Sequence, residues 1–166
     1  MDGQKDFYSS ISVQGLDLVF DGLWEQQNII NISNWIQGGG ILYSYGALDS
    51  TFNTGIGNDN INISATAMSN WWDNPAEKST AIAFDKSTLD TGAGNDQINL
   101  NANATGSETY AYGALDSIIN TGAGNDGLHI NANTNDNTNW DPAIGLSNTL
   151  VDLGAGSDSL LSLIHI

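Results

Sequence analysis

Four aspartates, each closing a glycine-rich turn, are the residues of this sequence best suited to chemistry. They are Asp59, Asp96, Asp126 and Asp158, spaced by 37, 30 and 32 residues. Two glycines precede each one, as Gly55 and Gly57, Gly92 and Gly94, Gly122 and Gly124, and Gly154 and Gly156. Glycine permits positive φ, so backbone carbonyl oxygens can turn toward one point, and aspartate adds an anionic oxygen. Because Ca²⁺ binds about six to eight oxygens, the turns predict calcium binding.

A turn sequence without a metal is the alternative interpretation of the same residues. Asn and Asp side chains hydrogen bond readily to their own backbone, which makes Gly-Asn-Asp a good turn by itself. Asn58, Asn95 and Asn125 precede the first three aspartates. We expect these asparagines to be turn or ladder residues rather than metal ligands.

The turns lie within an internal repeat, which indicates a stacked architecture. Four segments align without gaps through their centres, at 46–64, 83–101, 113–131 and 145–163. The segment NIINIS at 28–33 resembles DNINIS at 59–64 and marks a degenerate fifth copy. A single unit of this size has no second layer to pack against, so it must stack on its neighbours.

Each repeat contains strands on both sides of its turn. After each aspartate, apolar and polar residues alternate, which predicts a strand with one buried and one solvated face. The predicted inward residues are Ile61, Ile63, Ala65, Ile98, Leu100, Ala102, Leu128, Ile130 and Ala132. The predicted outward residues are Asn62, Ser64, Thr66, Asn99, Asn101, Asn103, His129, Asn131 and Asn133. Before the turn, Phe52, Leu89, Ile119 and Val151 share an inward register, and segments around Tyr43–Tyr45, Ala81–Ala83 and Tyr110–Tyr112 predict a third strand.

These features predict an all-β fold, a right-handed parallel β-solenoid of about five coils. Thirty residues trace roughly 100 Å at about 3.3 Å per residue, enough for one three-sided coil. The right-handed sense follows from the rule for parallel crossovers. Repeat length varies only within 68–79, 103–109 and 134–142, so these stretches should form loops on one side of the stack.

Three segments divide the chain. Residues 1–27 form an atypical N-terminal coil or cap, residues 28–160 the solenoid, and residues 161–166 a non-native tail. The tail breaks the alternation, with Leu161 where a polar residue is expected and Ser162 where an apolar one is expected. Its sequence LSLIHI also looks like the translation of a transposase adapter used in library preparation. On this interpretation the chain is part of a longer array of repeats.

The turn resembles the GGxGxDxUx repeat of RTX (hemolysin-type) calcium-binding proteins. The matching nonapeptides are TGIGNDNIN (54–62), TGAGNDQIN (91–99), TGAGNDGLH (121–129) and LGAGSDSLL (153–161). The resemblance implies a parallel β-roll with Ca²⁺ between successive aspartates and glycine carbonyls completing the ligand shell. It also implies type I secretion to the extracellular space or cell surface. The first motif glycine is replaced here by Thr54, Thr91, Thr121 and Leu153, and the motif occurs once per coil.

Composition excludes several classes of function. The 166 residues suit a single domain, and the formal net charge is −16, with three Lys and no Arg. Phosphate groups need basic partners, so neither nucleic acid nor an anionic membrane surface is an expected partner. The chain has no Cys and no apolar run long enough to span a membrane. Because its first residues include no apolar stretch, a secretory signal is not expected there.

Tryptophan-bearing segments and two histidines are the other candidate sites. Asn-Trp recurs at Trp35, Trp71–Trp72 and Trp140, where exposed rings could stack on sugars or, alternatively, cover the apolar interior. His129 occupies a solvated strand position, and no catalytic constellation accompanies it or His165. An ice-binding solenoid is disfavoured because outward Thr-x-Thr ranks are absent.

The sequence therefore predicts a non-enzymatic calcium-binding structural module of a larger secreted or surface protein. Its expected partners are calcium ions and neighbouring repeats of the longer chain. The alternative is a carbohydrate-binding or polysaccharide-processing β-helix module that uses the Trp-bearing loops and binds glycans.

Overall fold

A computed structural model describes residues 9–22, 26–70, 77–136 and 142–165. Fifteen strands and no helix occur in these ranges. The strands are β1 Ser9–Leu16, β2 Val19–Asp21, β3 Ile29–Gly38, β4 Ile41–Leu48, β5 Thr51–Asn53, β6 Asn60–Ser69, β7 Lys78–Asp85, β8 Thr88–Asp90, β9 Gln97–Gly106, β10 Glu108–Leu115, β11 Ile118–Asn120, β12 Gly127–Asp136, β13 Ala143–Ser147, β14 Leu150–Asp152 and β15 Ser159–His165.

Every third strand pairs in parallel, which produces three sheets of five strands each. Sheet A has the order β1-β4-β7-β10-β13, sheet B the order β2-β5-β8-β11-β14, and sheet C the order β3-β6-β9-β12-β15. Each coil contributes one strand to every sheet, so the prediction of a parallel β-solenoid is confirmed. The right-handed sense stays a prediction from the crossover rule.

The core is a column of apolar side chains from all three sheets. Sheet C supplies stacked rows, such as Ile61, Ile98 and Leu128, which are at most 1% exposed. Sheet B adds Phe52, Leu89 and Ile119, and the ring of Phe52 lies 6.1 Å from that of Phe84 in sheet A. The predicted inward residues of these strands are buried, apart from the partly buried Val151. Identical positions stack because parallel pairing in register places equivalent residues about 4.8 Å apart.

Three corners join the sheets within each coil. The Ser corner, between sheets A and B, consists of residues 49–50, 86–87, 116–117 and 148–149. The Gly-Asp corner, between sheets B and C, consists of residues 54–59, 91–96, 121–126 and 153–158. The third corner, between sheets C and A, varies in length, with only residue 107 between β9 and β10 but residues 70–77 between β6 and β7. The predicted confinement of length variation to one side of the stack is confirmed. The prediction of a loop over 103–109 is wrong, because β9 and β10 cover this stretch except for residue 107.

Both ends of the described chain continue the same pairing. In the first coil, β1 and β2 pair with β4 and β5, and Ile29 of β3 aligns with Asn60 of β6, as the match of 28–33 to 59–64 requires. At the other end, β15 pairs with β12 and places Leu161 beside His129. The assignments of 1–27 as an atypical cap and of 161–166 as non-native stay predictions.

Candidate functional site

The four glycine turns stack directly upon one another. Isolated parallel bridges link Ile56 to Ala93, Ala93 to Ala123 and Ala123 to Ala155, so equivalent residues of successive coils are neighbours. The first glycines of the turns have φ of 93°, 83°, 85° and 72°, and the second have φ of 157°, 148°, 152° and 156°. The expected need for glycine at both positions is therefore confirmed, and all twelve predicted site residues belong to one column.

The aspartates point into the turn and form a hydrogen-bonded ladder. Asp59, Asp96 and Asp126 are at most 2% exposed. In each step, the backbone N–H of one coil donates to the Oδ1 of the aspartate in the next coil. The N–O distances are 2.8 Å for Asp59 to Asp96, 2.9 Å for Asp96 to Asp126 and 3.0 Å for Asp126 to Asp158. The aspartates thus link each coil to the next by hydrogen bonds. The interpretation as simple turns had expected bonds to the local backbone instead.

The second carboxylate oxygen of each buried aspartate has no hydrogen-bond donor. The Oδ2 atoms of Asp59, Asp96 and Asp126 are buried and accept no hydrogen bond. Burial raises the pKa of Asp96, and its like-charged neighbours Asp59 and Asp126 act in the same direction. The hydroxyl of Thr91 favours the ionised form of Asp96, but the geometry commits its proton to the carbonyl of Thr121, at 3.0 Å. The ladder therefore holds like charges at about 4.8 Å spacing with little compensation.

The threonines at the first motif position form a second ladder. Thr54, Thr91 and Thr121 are fully buried. Each hydroxyl donates to the carbonyl oxygen of the equivalent residue in the next coil, at 3.2, 3.0 and 2.8 Å respectively. Threonine thus does what glycine could not do at this position, since glycine has no side-chain donor. The threonine at this position therefore has a structural role, which the sequence alone does not reveal.

The glycine carbonyl oxygens point along the stack. Those of Gly55, Gly92 and Gly122 accept the N–H of the alanine in the next coil, at 3.0, 2.8 and 2.8 Å. A Cβ added to Gly94 would overlap the carbonyl oxygen of Gly57, so this oxygen faces the glycine above it. These carbonyls therefore already have neighbours in the stack, and their role as metal ligands stays a prediction.

An asparagine occupies the aspartate position in the first coil. Asn28 precedes Ile29 as Asp59 precedes Asn60, and its N–H donates to Asp59 Oδ1 at 2.6 Å. Its Nδ2 donates to the carbonyl of Thr54 at 2.9 Å and to Asp59 Oδ1 at 3.1 Å. A neutral amide thus ends the carboxylate ladder.

The neighbouring asparagines form a third ladder, with the opposite polarity. The N–H groups of Asn95, Asn125 and Ser157 donate to the Oδ1 of Asn58, Asn95 and Asn125 in the preceding coil, at 2.7, 2.8 and 2.9 Å. These side chains are exposed. Of the two predicted roles of Asn58, Asn95 and Asn125, turn residue or ladder residue, the structure shows the ladder.

A groove of about 420 Å³ lies beside the turns, on the outer side of sheet B. Its polar lining includes Asp21, Asn53 and Asp90, which occupy equivalent positions at the ends of β2, β5 and β8. The row continues with Asn120 and Asp152, so Asp and Asn alternate along the stack. Amide groups donate to their acidic neighbours, from Asn53 to Asp21 at 3.1 Å and from Asn120 to Asp90 at 3.3 Å. This row was not identified from the sequence, because Asp and Asn alternate along it and no single residue type repeats.

The structure provides little support for the other predicted sites. His129 is exposed on sheet C, as expected for a surface residue. Trp71, Trp72 and Trp140 lie outside the described residues. Within the described ranges, no three carboxylate or imidazole side chains converge as a metal centre, and no helix has the length and apolarity of a membrane span.

Comparisons with known proteins bring no further assignment. No model of a known protein family matches the sequence, no curated protein matches it, and no solved structure matches the fold.

Proposed function

We propose that this chain is a calcium-binding structural repeat module of a larger secreted or cell-surface protein. The observation that carries the proposal is the set of buried, unpartnered Oδ2 atoms of Asp59, Asp96 and Asp126. A buried carboxylate oxygen without a donor is unfavourable, and three of them in one column repel each other. A divalent cation would offset both costs.

The aspartate carboxylates are the residues that would hold the ion. Their Oδ1 atoms are engaged in the backbone ladder, so the Oδ2 atoms are the free anionic oxygens. Successive pairs, Asp59 with Asp96, Asp96 with Asp126 and Asp126 with Asp158, would each flank one site. Bound calcium would supply positive charge between coils and so couple metal binding to folding. Glycine supports the site mainly through the backbone conformation of the turn.

Circular dichroism and thermal unfolding with calcium and with chelator test this proposal. We expect the melting temperature to be much higher in calcium, and a chain that is largely unfolded in chelator would show full coupling. Magnesium serves as a control ion, because it demands a smaller octahedral shell. Identical spectra and melting temperatures in calcium and chelator would leave a solenoid without a metal.

A structural role fits the remaining features of the site. The described residues of the turn contain no histidine, and the three Lys of the chain are outside it. We therefore propose rigid spacing or surface association as the contribution to the parent protein, with type I secretion following from the RTX resemblance. The carbohydrate alternative relied on Trp-bearing loops, but Trp35, which is 58% exposed, lies within β3 rather than in a loop.

A further inference from the structure

The outer face of sheet C differs from the rest of the surface in charge. Among the described residues of β3, β6, β9 and β12, no outward position carries Asp, Glu, Lys or Arg. The outward residues are instead Asn, Gln, Ser, Thr, one His, one Gly, one Ile, one Met and Trp35. We call this surface the amide face. In a chain of net charge −16, a strand face without charge is unexpected unless something other than solubility selects it.

One row of amides on this face, formed by Asn31, Asn62 and Asn99, is held in fixed orientations. Asn62 Nδ2 donates to Asn31 Oδ1 at 2.9 Å, and Asn99 Nδ2 donates to Asn62 Oδ1 at 2.9 Å. The result is a row of aligned amides with a spacing of about 4.8 Å along the stack. Amide groups both donate and accept hydrogen bonds, so such a row can match a ligand whose hydroxyl groups do the same. Fixed orientation lowers the entropy cost of binding.

One large aromatic side chain stands on the amide face. Trp35 is 58% exposed, and its indole N–H donates to the sulfur of Met68 at 3.4 Å. This contact holds the indole ring in place while more than half of the side chain faces solvent. Next to it, Gln37 donates to Asn70 Oδ1 at 2.9 Å. A fixed aromatic ring beside uncharged amides provides a stacking surface together with hydrogen-bonding partners.

We propose that the amide face binds a neutral polysaccharide, with Trp35 stacking on a sugar ring and the asparagine rows bonding its hydroxyls. Rings that stack on aromatic side chains are chiefly nucleobases and sugars, and the absence of basic residues on this face disfavours a phosphate-bearing polymer. A second copy of the chain fits poorly, because stable protein interfaces have apolar centres and this face is mostly amide. The lack of charged residues on the amide face therefore favours a neutral, hydroxyl-rich ligand. The proposal does not depend on calcium binding.

Pull-down with insoluble cellulose, chitin and β-1,3-glucan, all in calcium buffer, tests the proposal. We expect the protein to bind at least one of them, with little change between low and high salt because no charges are involved. Trp35→Ala should weaken that binding by tenfold or more, while Trp35→Phe should retain part of it because a ring remains. The matched control is Ile118→Ala, which removes a 47% exposed side chain from the outer side of sheet B and should bind as the parent does.

A second pair of variants tests the role of neutrality. Asn103→Asp places a charge on the amide face, in the row of Trp35, and should weaken binding about tenfold because a charged group is desolvated. Asn120→Asp makes the same change on sheet B and should leave binding unaltered. The proposal is overturned if no polysaccharide in the panel binds, if folded Trp35→Ala binds like the parent, or if both Asn→Asp variants have equal effects.

Discussion

The Ser corner and the Gly-Asp corner both provide a hydrogen-bond acceptor for a buried backbone N–H, but with different side chains. At the Ser corner, the N–H of Ser50 donates to Ser87 Oγ at 3.0 Å, and that of Ser87 donates to Ser117 Oγ at 3.2 Å. At the Gly-Asp corner, the N–H of each aspartate donates to the aspartate carboxylate of the next coil. In both cases a buried side chain accepts a backbone N–H that the change of direction would otherwise leave without a partner.

The difference between the corners is the second oxygen of the carboxylate. Each serine hydroxyl also donates to a carbonyl two residues earlier, as Ser87 does to Asp85 at 2.6 Å, so the serine is satisfied and neutral. The aspartate leaves a buried Oδ2 without a donor. A neutral serine hydroxyl is sufficient to accept the backbone N–H at the Ser corner. The negative charge of the aspartate at the Gly-Asp corner therefore needs a separate explanation. A bound cation is the explanation that we propose.

The largest effect is expected from filling a glycine turn. Gly94→Ala would place a Cβ against the carbonyl oxygen of Gly57 in a backbone with φ of 148°, so we expect a loss of more than about 4 kcal/mol in the free energy of unfolding. Denaturant unfolding measures it. The matched control is Gly38→Ala, whose Cβ would lie 3.6 Å from Leu42 and should change stability by less than about 1 kcal/mol. Equal effects would show that the turn is not tightly stacked.

Removal of the serine acceptor should have a smaller effect that does not depend on metal. Ser87→Ala deprives the buried N–H of Ser50 of its acceptor and should destabilise the fold by about 1–3 kcal/mol. Thermal unfolding should show the same loss with calcium and with chelator. A loss that appears only in calcium would mean that the two corners are not independent.

Substitution of one ladder aspartate should stabilise the fold in chelator and destabilise it in calcium. Asp96→Asn keeps an Oδ1 that can accept the N–H of Asp59 and removes the buried charge. In chelator we expect stabilisation by about 1 kcal/mol through reduced repulsion. In calcium we expect a lower melting temperature than that of the parent protein, because a site loses an anionic ligand. A destabilising effect of the same size in both conditions would count against a metal.

The pH dependence should give the smallest of these effects, with contributions from carboxylates near both corners. The pKa of Asp96 is raised by burial, so the folded state takes up protons between the ordinary value of 3.8 and the raised value. The free energy of unfolding in chelator should therefore fall as pH rises through this window. Asp85 acts in the same direction, because burial and the neighbours Asp116 and Asp49 raise its pKa against the opposing effect of Lys86.

Calcium should flatten or reverse this slope, because binding requires the ionised carboxylates. Thermal unfolding across the acidic range, with and without calcium, measures the change. Asp96→Asn should reduce the slope in chelator, whereas Ser87→Ala should leave it unaltered. If Asp96→Asn leaves the slope of unfolding free energy against pH unchanged, the pH dependence arises from other carboxylates.

Most of the architecture was predictable because each coil repeats the same local pattern. The alternation after Asp59 and Asp96 correctly assigned the inward Ile61 and Ile98, since period two has only one burial solution in a strand with one solvated face. The glycine pair was recognised because a positive φ has a strong residue preference. The Ser corner was not foreseen, because Asp49 and Lys86 adopt positive φ, of 51° and 47°, without glycine.

The sequence by itself determined the repeat, the three strands of each coil, the burial pattern and the glycine turn. Only the tertiary structure decided what the polar residues do. Asp96 links successive coils by hydrogen bonds, and Thr91 belongs to a ladder of hydroxyl groups. The outer side of sheet C forms an uncharged face around Trp35. The physical reason is that these contacts join residues 30 or 37 positions apart, as from Asp96 to Asp126 and from Asp59 to Asp96. Stacking register sets such contacts, and no local pattern contains it.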